Sequence, residues 1–183
     1  MSVTPAPVPK DLASSSIVLG IVSVIWFGLP PVDGALRWAF VAASVLAIAL
    51  VVAAVVRLRT TAGPASMSVS PRARRVWWAA LAFEVVAIPA ALLILRSLDQ
   101  TELTPAVVLG IVALHFIPLA QEFRMADLWW VTAACLAVTA LGIAAHFGGW
   151  AHPGVIAGGL GGTVLLLGGI VMFLRSQRAS RTR

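Results

Sequence analysis

VWWAALAFEVVAIPAALLIL, residues 76–95, is a run of twenty residues in which Glu84 is the one ionisable side chain, with Arg75 just before it and Arg96 just after. About twenty consecutive apolar residues, wound as an α-helix, match the hydrocarbon thickness of a bilayer. No water reaches that layer to satisfy backbone N–H and C=O groups, so a continuous apolar span must be helical. A barrel strand would be shorter and would alternate apolar with polar residues. The run predicts a transmembrane helix.

Outward from it, five more runs read the same way: 12–29, 37–56, 105–121, 128–147 and 154–174. The fold class is therefore all-α, a polytopic membrane bundle of six helices. Composition agrees, with 60% hydrophobic residues, 11% charged residues and a mean hydropathy of +0.99. A soluble domain carries about 25% charged residues, so a soluble globule is excluded. Turn-forming residues separate the runs: Pro30-Pro31 with Asp33-Gly34, Gly63-Pro64 in a Ser-rich stretch, Asp99 to Pro105, and Gly148 to Gly154 around Pro153. The Pro-rich start, residues 1–11, and the basic end, residues 175–183, read as disordered tails. The first run is read as a retained helix rather than a cleaved signal. Lys10 is offset by Asp11, and Gly28-Leu29-Pro30-Pro31 lacks a small-x-small cleavage pattern.

Orientation follows from the basic residues. An N-terminus in the cytoplasm puts Lys10, Arg57, Arg59, Arg72, Arg74, Arg75, Arg124, Arg175, Arg178, Arg181 and Arg183 inside, leaving only Arg37 and Arg96 outside. Both termini are thus predicted cytoplasmic. Trp77, Trp78, Trp129 and Trp130 fall at the inner boundary, and Trp38 and Trp150 at the outer one, as interfacial anchors. The net charge of +6 and pI of 11.5 arise from these orienting residues, which argues against nucleic-acid binding. The loop from Arg57 to Arg75 and the C-terminal tail should lie on anionic lipid headgroups, at about 1 kcal/mol per nearby basic residue. A single Lys, twelve Arg and heavy Ala and Val usage fit a GC-rich bacterial gene, hence a bacterial plasma membrane.

The chain holds a possible 3+3 inverted repeat. IVLGIV at 17–22 resembles VVLGIV at 107–112, followed by Trp26-Phe27 and His115-Phe116. Trp38, Ala42, Ala43 and Ser44 align with Trp129, Ala133, Ala134 and Cys135, while the third and sixth runs do not match. Such repeats build many transporters, with substrate held between the halves near the midplane, although short Ala/Val/Leu words also recur by chance.

Two residues stand out chemically. Glu84 lies eight residues past Val76, about 12 Å along the helix and near the centre of a core about 30 Å thick. An ionised acid there costs roughly 2.5 to 3.5 kcal/mol on insertion scales, so Glu84 should face protein and be paired or protonated. His115 lies six residues before Gln121, about 9 Å from the inner end of its helix, at nearly the same depth. A Glu84–His115 pair able to carry a proton is permitted, since imidazole titrates near neutral pH. The alternative is a hydrogen bond that only ties two helices. Pro89 and Pro118 free the carbonyls of Val85 and Leu114, which would add polar cavity walls.

Thr132, Cys135, Thr139, Gly142 and His146 share one face of the fifth helix, either lining a polar cavity or packing tightly, with packing favoured. Gly158, Gly161, Gly162, Gly168 and Gly169 make the sixth helix a close-approach surface, within the chain or toward a second copy or a protein partner. His146 and His152 lack the helical spacing of shared metal ligands, and His115 and His146 lie toward opposite surfaces, so neither a metal nor haem is expected. There is no phosphate-binding glycine loop and no Ser-His-Asp signature, so no cofactor is expected. A membrane-embedded enzyme acting on a lipid stays open as a third reading, and it would need an acid or base facing an accessible cavity, for which only Glu84 and His115 qualify.

The segment HFIPLAQEF at 115–123, leading into Leu128-Trp129-Trp130, resembles a recurrent stretch in small multi-pass bacterial membrane proteins. The resemblance spans about 20 residues and implies a membrane setting without an activity. The leading expectation is a small transporter-like or solute-binding membrane protein built around Glu84 and His115. The second is a non-catalytic partner subunit or scaffold docking through its sixth helix. Fluorescent-protein fusions at both termini should glow and alkaline phosphatase fusions there should be inactive; active phosphatase at either end would reverse the orientation.

Overall fold

The computed structural model describes residues 9–28, 30, 32–61, 65 and 70–181, which are helical apart from short turns. Among the described residues, six helices are long and apolar enough to cross a membrane. They are α1 (Pro9–Gly28), α2 (Gly34–Thr60), α3 (Pro71–Ser97), α4 (Thr104–Glu122), α5 (Ala126–Gly148) and α6. A 3-10 turn, Thr101–Leu103, leads into α4, and α6 runs from Pro153–Ile156 through a π-helical turn at Ala157–Gly161 into Gly162–Arg181. No strand occurs among the described residues.

Two tail expectations change. The basic segment from 175 continues α6 as far as Arg181. Its side chains explain this: Arg175 Nη1 sits 2.8 Å from Asp127 Oδ2, and the Ser176 carbonyl accepts from Arg57 Nη2 at 3.2 Å. At the other end, residues 9–11 already belong to α1, with Asp11 buried in the first turn, where a carboxylate meets the positive end of the helix dipole. Residues 1–8 and the Gly63-Pro64 break lie outside the described residues, as do Leu29, Pro31 and Arg183.

Helix ends follow local chemistry. Ser70 caps α3, its Oγ accepting from Ala73 N at 3.1 Å, with Pro71 as first helical residue. α5 stops at Gly149, whose φ of 65° suits a residue without Cβ.

The helices form two groups. α1 lies between α2 and α6, α4 lies between α3 and α5, and the groups meet along α5 and α6. Lipid is as apolar as Leu, so helices in a membrane associate through close packing rather than through burial from water. Small residues provide that packing. Ser16 Oγ on α1 donates to the Gly169 carbonyl on α6 at 2.9 Å. A Cβ on Gly20 would press on Val51 of α2, and one on Gly110 or Gly142 would press on Thr139 or Ala106 across α4–α5.

The glycines of α6 are spent inside the chain. Gly158 abuts Pro30 and the Trp26 carbonyl, Gly161 meets Leu109, Gly162 the Phe27 ring, Gly168 Val131 and Leu19, and Gly169 Leu50 and the Ser16 carbonyl. The surface expected to face either the monomer interior or a second protein is filled from within. The two least buried helices are α2, burying Ala47, Leu50 and Ala54, and α3, burying Ala73, Ala80 and Leu95. Their outward faces are apolar, as lipid contact requires.

A Cβ at residue 158 would overlap Pro30 Cγ and sit 2.9 Å from the Trp26 carbonyl oxygen, whereas one at Gly28 meets nothing within 4 Å. Gly158→Ala should therefore lower thermal stability by about 1–3 kcal/mol, an overpacking cost. Gly28→Ala should melt close to wild type by circular dichroism in detergent. Equal melting of the two variants would contradict the α1–α6 packing.

Candidate functional site

Glu84 is the midpoint of the 27-residue α3, thirteen residues from either end. From α4, His115 brings its Nδ1 to 2.9 Å from Glu84 Oε1. The Glu84 side chain is 21% exposed and that of His115 12%. Nδ1 is not aimed along the line to the carboxylate and makes no well-formed hydrogen bond, so the contact is a close polar one that a small rotation would align. The imidazole packs edge-on against Phe116, with ring centroids 5.6 Å apart. α3 packs on α4, and α1 has no interface with α3 comparable to those it makes with α2 and α6. A crevice therefore runs between α1 and the α3–α4 hairpin, with the pair midway along it.

Two cavities occupy the crevice. One of about 200 Å³ lies toward the Arg-rich end and is lined by Asp11, Ser15, Trp77, Phe123 and Met125 among others. The other, about 420 Å³, lies toward the opposite end and includes Trp26, Ile88, Leu92 and Thr104. Val18, Glu84, His115 and Phe116 line both. The pair therefore stands where the two spaces meet. Among the described lining residues the charged or titratable side chains are Asp11, Glu84 and His115, with no Lys or Arg. The arrangement places one acidic and one imidazole side chain side by side in an otherwise apolar wall.

The other candidates fall elsewhere. Pro89 is exposed, and neither Pro89 nor Pro118, nor Val85 or Leu114 whose carbonyls they free, lines either cavity. The polar face of α5 is packing surface. Thr132 Oγ1 donates to the Leu128 carbonyl at 2.7 Å, Cys135 is fully buried, and Thr139 and Gly142 meet Gly110 and Ala106 of α4. His146 belongs to a separate cluster at the opposite end, with Nε2 2.7 Å from Gln100 Oε1 and Nδ1 3.5 Å from Glu102 Oε2. His152 Nδ1 instead accepts from Gly154 N. Among the described residues no three His, Cys, Asp or Glu side chains gather as metal ligands.

Two lining residues have a role that the sequence reading does not include. Trp77, expected as an interfacial anchor, is half-buried in a cavity wall. Asp11 enters the sequence reading only as the flank that offsets Lys10. Its signal was available: Asp11, Ser14, Ser15, Val18, Val22 and Ile25 recur at spacings of three and four along α1 and all border the crevice.

The chain matches no described protein family, no curated protein and no solved structure. The site therefore stands on its own chemistry.

A double-substitution cycle tests the pair. Glu84→Gln and His115→Ala should each destabilise by about 0.5–2 kcal/mol, the range of polar contacts between membrane helices. The double variant should cost less than the two added together. Strict additivity in chemical unfolding would mean that the side chains do not interact.

Proposed function

We propose that this chain is a small transporter-like integral membrane protein in which Glu84 and His115 form a protonatable solute site. One observation carries the reading: the one acid–imidazole pair found deep in the apolar helices among the described residues stands at the junction of two cavities that extend toward opposite ends of the bundle. Intramembrane ionisable groups of this kind mark ion and substrate routes. A site reached from two directions is what alternating access requires.

The Arg-rich end is assigned to the cytoplasm of a bacterial plasma membrane. Arg57, Arg59, Arg72, Arg74, Arg75, Arg124, Arg175 and Arg178 would then face anionic headgroups. The inverted repeat receives partial support from packing. α1 sits between α2 and α6 as α4 sits between α5 and α3, the pairing an exchange of third helices would give, yet the α5–α6 seam has no comparable α2–α3 counterpart. The resemblance of the 115–123 segment to small multi-pass bacterial membrane proteins fits the same setting. The scaffold alternative loses its chosen surface, because the α6 glycines are covered by α1, α2, α4 and α5.

The test is flux in proteoliposomes carrying an internal pH dye, with an imposed proton gradient and a panel of amino acids, sugars, organic anions and organic cations. At least one solute should dissipate the gradient through wild type but not through Glu84→Gln or His115→Ala. Silence across the panel, or flux that survives both substitutions, overturns the reading.

A further inference from the structure

We infer that the solute held at Glu84 and His115 is a hydrophobic organic monocation, drawn from the bilayer and exchanged for a proton. The inference rests on the transporter-like reading above and names its substrate class.

Charge is the first argument. The formal charges available along the crevice are the carboxylates of Asp11 and Glu84 and the titratable ring of His115, and no basic Lys or Arg side chain is among the described lining residues. An anion would meet repulsion and no counter-charge. A cation would meet a carboxylate in an environment poor in water, where attraction is screened little.

Wall chemistry is the second. Around the pair the lining is Trp77, Phe116, Phe123, Leu81 and Met125, with Ile88 and Leu92 on the far side. Aromatic faces attract cations electrostatically, and a thioether is a polarisable contact. Such a wall offers few hydrogen bonds to a sugar or an amino acid. It favours a ligand whose charge is spread over an apolar body.

Access is the third. Val18 and Ile25 of α1 line the crevice while 47% and 56% exposed, and Leu92 of α3 does so while 40% exposed. The rims on both sides of the gap are thus apolar and accessible, and lipid would reach them. A ligand that partitions into hydrocarbon can enter sideways.

The exchange balances. With one proton on the pair, whether as Glu–COOH beside neutral imidazole or as carboxylate beside imidazolium, the pair is neutral. Release of that proton leaves one negative charge, which the incoming monocation neutralises. One cation therefore replaces one proton, and the pair is never left with an uncompensated charge. Asp11 on α1 is the other carboxylate bordering the crevice, about two helical turns from Val18 at the Arg-rich end.

The experiment is calorimetric titration of the full chain in nanodiscs with tetraphenylphosphonium, in two buffers of different protonation enthalpy. Tetraphenylborate, the same shape with opposite charge, is the comparison. The expected result is saturable phosphonium binding with release of close to one proton per cation, and no borate binding. Glu84→Gln should weaken phosphonium binding by roughly thirtyfold or more, as loss of one partner of a buried charge pair does. Leu81→Trp, which fills the smaller cavity and leaves the pair in place, should also block it. This variant keeps the test intact should Glu84→Gln fail to fold. Equal binding of borate, or phosphonium binding unaffected by either substitution, overturns the inference. If phosphonium does not bind while another solute class shows Glu84-dependent flux, the substrate class is wrong and the transporter-like reading stands. If no solute class shows such flux, the reading itself falls.

Discussion

Close approach of helix backbones, allowed where side chains shrink to a hydrogen or a hydroxymethyl group, is what the rest of this architecture depends on. In hydrocarbon the hydrophobic effect gives no reason for one apolar helix to prefer another over lipid, so contact density decides. α1 and α6 approach at Ser16, Gly158, Gly162 and Gly169, and Ser16 turns its hydroxyl onto the Gly169 carbonyl rather than leaving it bare. α4 and α5 approach at Gly110 and Gly142. Where one partner presents bulky residues, contact is lost. α3 presents Trp77, Leu81, Ile88 and Leu92 toward α1, and the space between them stays open.

That uneven packing makes the site. A carboxylic acid in the middle of a bilayer helix is costly, and the bundle could have enclosed it in a tightly packed seam. It lies instead on the most weakly held helix, beside an imidazole on the next one, in the wall of a gap. The stabilising pair interaction and the ligand-accessible space therefore share the same atoms. Whatever occupies the gap competes with, or completes, the Glu84–His115 contact. This is the physical reason to read the pair as chemistry rather than as a fastening.

The helices were legible because each apolar run carries its own length and punctuation, and the equal depth of Glu84 and His115 was legible from rise per residue alone. Contact between them needed only that α3 and α4 be neighbours, which a connection of a few residues enforces. Three-dimensional neighbours across distant sequence were not legible. Spacings of three and four mark a face from Asp11 through Val18 to Ile25, but nothing in the sequence says that this face borders Glu84. The indole of Trp77 has the same composition signal whether it faces headgroups or a cavity. The glycines of α6 announced close approach without naming the partner, and the structure supplies it: α1 first of all. The helical continuation to Arg181 was missed because composition alone suggests disorder, while Asp127 and Arg57, far away in sequence, hold the segment in place.

The hairpin of α3 and α4 is tied at both extremities. At one, Arg72 Nε lies 2.9 Å from Glu122 Oε2; at the other, the 3-10 turn at Thr101–Leu103 joins the helices directly. The two side chains of the pair are thus carried on a single braced frame, while Asp11 and Val18 are carried on another. Any change in the width of the gap is relative motion between frames, so it alters how much room surrounds the Glu84–His115 contact without pulling its two partners apart.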